Sequence, residues 1–297
     1  MTSQLATTWR RSIGLASIAS CAIGLYATFL IYPILQSLLT GFTDRNPLRR
    51  ESSFIGFQNY IELAHDQRLL RSLVFTLTVT VFVAIVSNAL GLLIALLLNR
   101  STANYKLMRT LIFLPQILSG VIVAFIWRSI LTQKGLLNVT LQNLGLTDAA
   151  ISWIGTPQLA TLSICVVVSW TTTAFATVIY TASLQSVPLE LYEAARMDGA
   201  GAFNRFRHVT LPMIAPGMTI SVTLSLITTL KLFDVIAVLT GGGPANATKS
   251  IAYYLIDVAF TGNRLGYASA IAMLLLLLTA VISYGTSGIL RRREAHL

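Results

Sequence analysis

The sequence predicts an all-α, polytopic membrane protein, and three observations carry the prediction. Of 297 residues, 55% are hydrophobic and 11% charged, against roughly 25% charged in an ordinary soluble domain. The mean hydropathy is +0.72. The apolar residues are gathered into uncharged runs: Ser12 to Thr43, Ser72 to Asn99, Thr110 to Trp127, Ala149 to Leu189, His208 to Leu230 and Leu265 to Leu290. A bilayer-spanning helix needs about 20 residues. Hydrocarbon offers the backbone no partners, so runs of this length must satisfy their N–H and C=O groups as helices; barrel strands would need only about 10 residues each.

Taken in order, the runs predict six spans at 12–40, 72–99, 108–128, 159–181, 212–239 and 265–290, in one membrane domain covering 1–297. The first begins after Trp9-Arg10-Arg11 and runs through Cys21 to Leu39. Ile18-Ala19-Ser20-Cys21 looks like a lipoprotein cleavage box, but the apolar stretch before it is short and continues beyond it, so an uncleaved first span is expected. Ile55 to Leu70 mixes aromatics with charges, the pattern of an interfacial amphipathic helix. Trp127 and Trp153 are expected to anchor the ends of an external loop.

The formal charge of +10 would suggest nucleic acid in a soluble protein. In a membrane protein, basic residues beside span ends instead hold loops in the cytoplasm. With both termini inside, Arg10, Arg11, Arg100, Lys106, Arg109, Arg196, Arg205, Arg207 and Arg291 to Arg293 press against span ends on the inner side. Five arginines, Arg45, Arg49, Arg50, Arg68 and Arg71, then crowd one external segment, so placement rather than count supports this orientation.

Between the fourth and fifth spans, residues 186–212 read as a helix-turn-helix. Pro188 suits a helix's first turn and Glu190 complements the helix dipole there. Leu189, Tyr192 and Arg196 share a face, Gly199 and Gly201 stop the helix, and Ala202 to Val209 forms a second before Pro212 opens the fifth span. Neither short helix can span, so they sit in water or in a partner's groove.

This stretch resembles the coupling loop of ABC-importer permeases, whose pattern is Glu-Ala-Ala, three residues, Gly, nine residues, then Ile-x-Leu-Pro. Here Glu193-Ala194-Ala195 is followed by three residues, Gly199, nine more, and Val209-Thr210-Leu211-Pro212, with only Ile changed to Val. Asn59-Tyr60, Leu114-Pro115, Trp127, Gly135 to Asn138, Phe233-Asp234, Thr240 to Pro244 and Tyr267 to Ala270 look like the carbohydrate-uptake subgroup, similar to maltose-type and glycerol-phosphate-type permeases. The resemblance implies a type I importer permease fold in the bacterial inner membrane. It implies a second permease as heterodimer partner, two cytoplasmic ATPase subunits that hold ATP and Mg, and an external solute-binding protein. The chain itself would carry no cofactor. Glu193, Ala194, Ala195, Asp198, Gly199, Leu211 and Pro212 would then couple it to the ATPase.

Other constellations are weaker. Gly243 to Ser250 falls one residue short of a phosphate-binding loop, with Thr248 where the second glycine belongs and no strand before it. A glycine-rich external turn is expected, and Thr248→Ala is expected to leave transport nearly intact. Lys231 and Asp234 stand three apart, so they can pair on one helix face or contact solute. Asn88, Gln116, Trp170 with Thr171 to Thr173, and Phe233 suit sugar hydroxyls and ring faces. Interhelical hydrogen bonding explains the polar ones equally well. Cys21 and Cys165 form no CxxC pair, and His65, His208 and His296 all lie outside the spans, which argues against redox, metal or protease chemistry. The alternative to an ATP-driven importer is an ion-coupled secondary transporter acting alone. Such a carrier should show repeated halves and midplane ionisable groups, and neither is evident here.

Overall fold

The computed structural model describes residues 19–99 and 103–294. The expectations for residues 12–18, Arg10, Arg11, Arg100, His296 and both terminal segments lie outside them. Thirteen helices follow in order among the described residues: α1 (Ala19–Thr40), α2 (Gln58–His65), α3 (Gln67–Leu97), α4 (Ala103–Ile117), α5 (Gly120–Leu131), α6 (Leu136–Asn143), α7 (Pro157–Gln185), α8 (Leu189–Met197), α9 (Ala202–Met213), α10 (Ala215–Leu230), α11 (Asp234–Leu239), α12 (Ile251–Thr261) and α13 (Leu265–Glu294). No strand is present among them; Thr43 and Phe54 make an isolated antiparallel bridge. Five helical segments are long and apolar enough to cross a membrane, and the bent pair α9 and α10 makes a sixth.

The chain divides into two compact units. The first takes the residues up to His65 together with Leu255–Leu274. Its buried anchor is Asn59, whose amide donates to the carbonyls of Gly41 (2.8 Å) and Thr43 (2.9 Å) and closes the turn after α1. Gly266 brings the start of α13 against that turn: a Cβ there would stand 1.9 Å from the Thr43 oxygen. Glu62 and Arg264 form a bidentate ion pair at 2.7 and 2.6 Å. Phe42 packs among Phe54, Phe57 and Tyr60. The amphipathic helix expected over Ile55 to Leu70 is therefore shorter, because Asp66 ends it by capping the next one, accepting from the amides of Arg68 (2.8 Å) and Leu69 (3.2 Å).

In the same unit, exposed Asp44 accepts from the Ser53 hydroxyl (2.8 Å) and amide (2.6 Å), and these two bonds hold its carboxyl below the usual carboxylate range. A group depressed in the fold contributes stability above its unfolded pKa and loses it as pH falls through the folded one. The Thr43–Phe54 turn should thus stay protected from an acid protease through the ordinary carboxylate range and open only below it. Ser53→Ala should move the opening to higher pH; the same onset in both proteins would refute this.

The second unit is a bundle around α3, α7 and α10, with Val79, Val83, Val123, Ile164, Val167 and Ile236 among its fully buried side chains. Five of the expected spans change. The span at 108–128 is two helices: Pro115 deprives one turn of a donor, and Ser119 then caps α5 by accepting from the Ile122 amide at 3.4 Å. The span at 212–239 is interrupted twice. Pro212 does not open it but lies near the end of α9, after a wide helical turn at Phe206–Thr210; the chain bends by 67° at Ile214, and Pro216 starts α10. A second break at Lys231–Phe233 separates α10 from α11. The spans at 72–99, 159–181 and 265–290 are present but longer, from Gln67, Pro157–Gln185 and to Glu294.

Trp127 and Trp153 are both packed against neighbouring side chains. Trp127 meets Trp170 edge-on with centroids 5.6 Å apart. Trp153 donates to Asn138 (3.1 Å), a wholly buried residue that also accepts from the Ile151 amide and donates to the carbonyls of Thr132, Gln133 and Ile151. The turn after α11 is glycine-rich as expected, with Gly241 and Gly242 at φ 61° and 79°. Thr248 is part of what holds that turn. It is buried, donates to the Gly243 carbonyl (2.6 Å) and shares a hydrogen bond with the Thr240 hydroxyl (2.9 Å). Thr248→Ala should cost about 1–3 kcal/mol by stranding those partners. Thermal unfolding beside Thr248→Ser, which keeps the hydroxyl, checks it; equal losses in both would contradict the assignment.

Candidate functional site

Two places gather the residues singled out above. The first is the hairpin of α8 and α9. α8 ends with Gly199 at φ 77°, the Gly199 amide bonded to the Arg196 carbonyl (3.0 Å) and the Ala200 amide to the Ala195 carbonyl (2.9 Å). This pair of bonds is the Schellman turn, which needs a left-handed residue where Gly199 stands. Glu193, Ala194, Asp198 and Gly199 are exposed and Ala195 is half-buried. Leu189, Met197 and Phe203 beside them are apolar side chains left 67%, 89% and 70% exposed on the two helices.

The face expected to unite Leu189, Tyr192 and Arg196 divides: Leu189 and Arg196 are exposed, whereas Tyr192 turns inward. Its hydroxyl meets that of Thr210 at 3.1 Å, and its ring packs on the buried cluster of Ala95, Ala176, Tyr180, Leu184, Val187 and Ile214. Leu211 and Pro212 are half-buried at the hairpin's root, lining a cleft of about 280 Å³ with Arg207, Met218 and the end of α13. There Thr219 donates to Glu294.

The second place is a cavity of about 410 Å³ among α4, α5, α7, α10 and α11. Gln116 and Asp234 line it with Thr171, Thr172, Thr228 and Phe175. Both helix breaks border it, since Leu118 and Leu232 are in its wall. Asp234 is the ionisable side chain in that wall; its Oδ1 accepts from the Val235 amide at 2.9 Å. Gly120 makes room for it, because a Cβ there would lie 1.9 Å from Oδ2.

Four of the other candidates do not line the cavity. Asn88 is saturated, one bond within its helix and three to other helices: it donates to the Ala84 carbonyl and to Ser225 and accepts from Tyr180 and Ser221, leaving nothing for a solute. Lys231 ends α10 and makes no ion pair with Asp234, because the break at Phe233 (φ −132°, ψ −57°) takes them off one helical face. Phe233 packs on Tyr253, centroids 5.7 Å apart, whose hydroxyl holds the Gly241 carbonyl. Trp170 packs on Trp127. Gly120 and Tyr192 were missed as site residues, since no spacing rule marks which glycine faces a carboxylate or which tyrosine turns inward.

Long apolar helices around a hydroxyl-lined cavity, with a projecting hairpin carrying the coupling pattern, define a membrane-embedded transport component. The chain belongs to the family of binding-protein-dependent transport system inner membrane components, whose sequence model matches residues 87–294. It is 31% identical over 280 residues to the probable starch degradation products transport system permease protein AmyD of Thermoanaerobacterium thermosulfurigenes, covering 94% of each chain. It is 33% identical over 267 residues to the trehalose/maltose transport system permease protein MalF of Thermococcus litoralis, covering 89% of this chain and 90% of that one. A chain of a bacterial ABC transporter involved in the import of alginate has the same fold: TM-score 0.84 at 24% identity, covering 97% of this chain and 99% of that one. The protein is thus a multi-pass ABC-importer permease and not an enzyme. The family decides for an ATP-driven importer over an ion-coupled carrier.

Proposed function

We propose that this chain forms half of the translocation pore for a sugar or related solute, a di- or oligosaccharide, a polyol or a glycerol phosphate, beside a second, different permease. The relatives named for starch degradation products and for trehalose and maltose support a sugar, as do the hydroxyl and amide groups of Thr171, Thr172, Thr228 and Gln116 on the cavity wall. Asp234 contributes the one carboxylate to that wall. Two cytoplasmic ATPase subunits bind ATP and Mg, and an extracytoplasmic binding protein delivers the solute. Glu193, Ala194, Ala195, Asp198 and Gly199 dock in the ATPase, with Leu211 and Pro212 carrying the hairpin's root. Both termini face the cytoplasm.

The observation that carries this reading is the exposed apolar hairpin surface at Leu189, Met197 and Phe203. Exposed apolar side chains on helices too short to span support a docking surface there. The test is uptake by the assembled transporter in vesicles. Import should persist when proton and sodium gradients are collapsed by ionophores and stop with a non-hydrolysable ATP analogue. Import that followed the ion gradients instead would defeat the proposal.

A further inference from the structure

Asn88 lies at the crossing of three helices and uses its full hydrogen-bonding capacity there. Its amide donates to the Ala84 carbonyl of its own helix (2.7 Å) and to Ser225 Oγ on α10 (3.0 Å). Its side-chain oxygen accepts from Tyr180 Oη on α7 (2.8 Å) and from Ser221 Oγ on α10 (2.7 Å). Ser221, Ser225 and Tyr180 are all buried. About one helical turn toward the hairpin, small residues bring the same helices close together. A Cβ on Gly91 would lie 2.6 Å from that of Ala176, and one on Gly217 would lie 1.9 Å from Ser183 Oγ.

These two kinds of contact do different work. Glycine and alanine surfaces set how near two helices come, but being smooth and non-directional they do not fix register along the axes. Four directional bonds to one amide do fix it, and hydrocarbon supplies no water to replace them. Tyr180 also belongs to the buried cluster that receives Tyr192 from the hairpin, and Ile214, at the bend between α9 and α10, completes that cluster. A continuous packed path therefore runs from the hairpin through Tyr192 and Tyr180 to Asn88 and into α10.

We infer that Asn88 is a positioning residue for energy coupling: it locks α3, α7 and α10 in register, so that a displacement of the α8–α9 hairpin moves these helices as one body rather than letting them slide. The inference rests on the reading of that hairpin as the ATPase-docking element. It also gives a role to the Gly217, Ser221, Ser225 stripe on α10, whose spacing of four puts it on one face.

The experiment uses the whole transporter in proteoliposomes, with both permeases and both ATPase subunits. It measures ATP hydrolysis with and without the cognate binding protein, purified carrying its own solute. The same packed path would carry the external signal inward to the hairpin, so breaking it should blunt stimulation at the ATPase as well as transport. Asn88→Ala should keep ATPase co-purification and basal hydrolysis but lower the stimulation by binding protein at least about fivefold, the lower end of typical coupling factors. Tyr180→Phe, which keeps the ring and its packing, should lower it less, and Ser221→Ala likewise. Normal stimulation in Tyr180→Phe and Asn88→Ala, with loss confined to thermal stability, would overturn the inference. If Asn88→Ala does not assemble, Tyr180→Phe decides alone. Failure of the docking reading would show separately, as normal ATPase association in hairpin variants.

Discussion

Replacing Gly199 by valine should abolish uptake and release the ATPase subunits, while the chain still inserts and pairs with its partner permease. Gly199 sits at φ 77° in the turn that closes α8, and a Cβ there would meet nothing within 4 Å. Steric collision is therefore not the cause of the effect. The cause is the left-handed backbone, which costs a side chain about 1–2 kcal/mol; a β-branched one is the worst tolerated. That is enough to unwind a turn held by the two bonds from Gly199 and Ala200, but small beside the stability of a multi-span bundle. Gly201 is the internal control: it has φ −67° and also nothing within 4 Å of a Cβ. Gly201→Ala should be near neutral in uptake and in ATPase co-purification. Wild-type behaviour of Gly199→Val at matched expression would remove the assignment of this hairpin to coupling. Glu193→Lys should act like Gly199→Val if the exposed Glu193 meets the ATPase as proposed, by placing a positive charge where a negative one stands.

Gly120→Val should block the pathway while leaving the hairpin and its partners in place. A Cβ at position 120 would lie 1.9 Å from Asp234 Oδ2 and 2.7 Å from its Cγ. The carboxylate cannot simply swing aside, since its other oxygen holds the Val235 amide at the start of α11. The side chain is then driven into the cavity or α11 is displaced; forcing atoms into a packed site typically costs about 1–3 kcal/mol. Uptake should fall at least tenfold, by roughly the 1.4 kcal/mol that a factor of ten represents, with normal ATPase co-purification. Asp234→Ala in the Gly120→Val background should restore part of the loss by removing the colliding group. Full activity of Gly120→Val would show that the cavity beside Asp234 is not on the route. Because Lys231 is not Asp234's partner, Lys231→Met should leave the Asp234→Asn phenotype unchanged.

Much of the fold was legible in the sequence because in a membrane composition and structure are tightly linked. A long uncharged run has one way to satisfy its backbone, so α1, α3, α7 and α13 were readable from Ser12–Thr43, Ser72–Asn99, Ala149–Leu189 and Leu265–Leu290. The hairpin was legible for a different reason. Gly199 and its spacing from Glu193 express a backbone requirement, and the Schellman turn meets it within a few residues. The breaks at Leu118–Ser119 and Ile214 were not legible, because Pro115, Pro212 and Pro216 permit a break without saying on which turn the chain takes it, and the break at Lys231–Phe233 has no nearby proline or glycine to signal it at all.

The sequence by itself determined that this chain crosses a membrane as helices and carries a short helical hairpin turned at Gly199, since hydropathy and local turn chemistry act over a few residues or one run. Only the tertiary structure decided what the polar residues inside the spans do. Asn88, Gln116, Lys231, Phe233 and Asp234 looked alike as pathway candidates, yet Gln116 and Asp234 face the cavity, Asn88 is consumed at a three-helix crossing, Lys231 ends α10 and Phe233 packs on Tyr253. The physical reason is that a polar side chain's role depends on which partner reaches it. Asn88 is 92 residues from Tyr180 and 133 from Ser221 along the chain, distances that only packing closes.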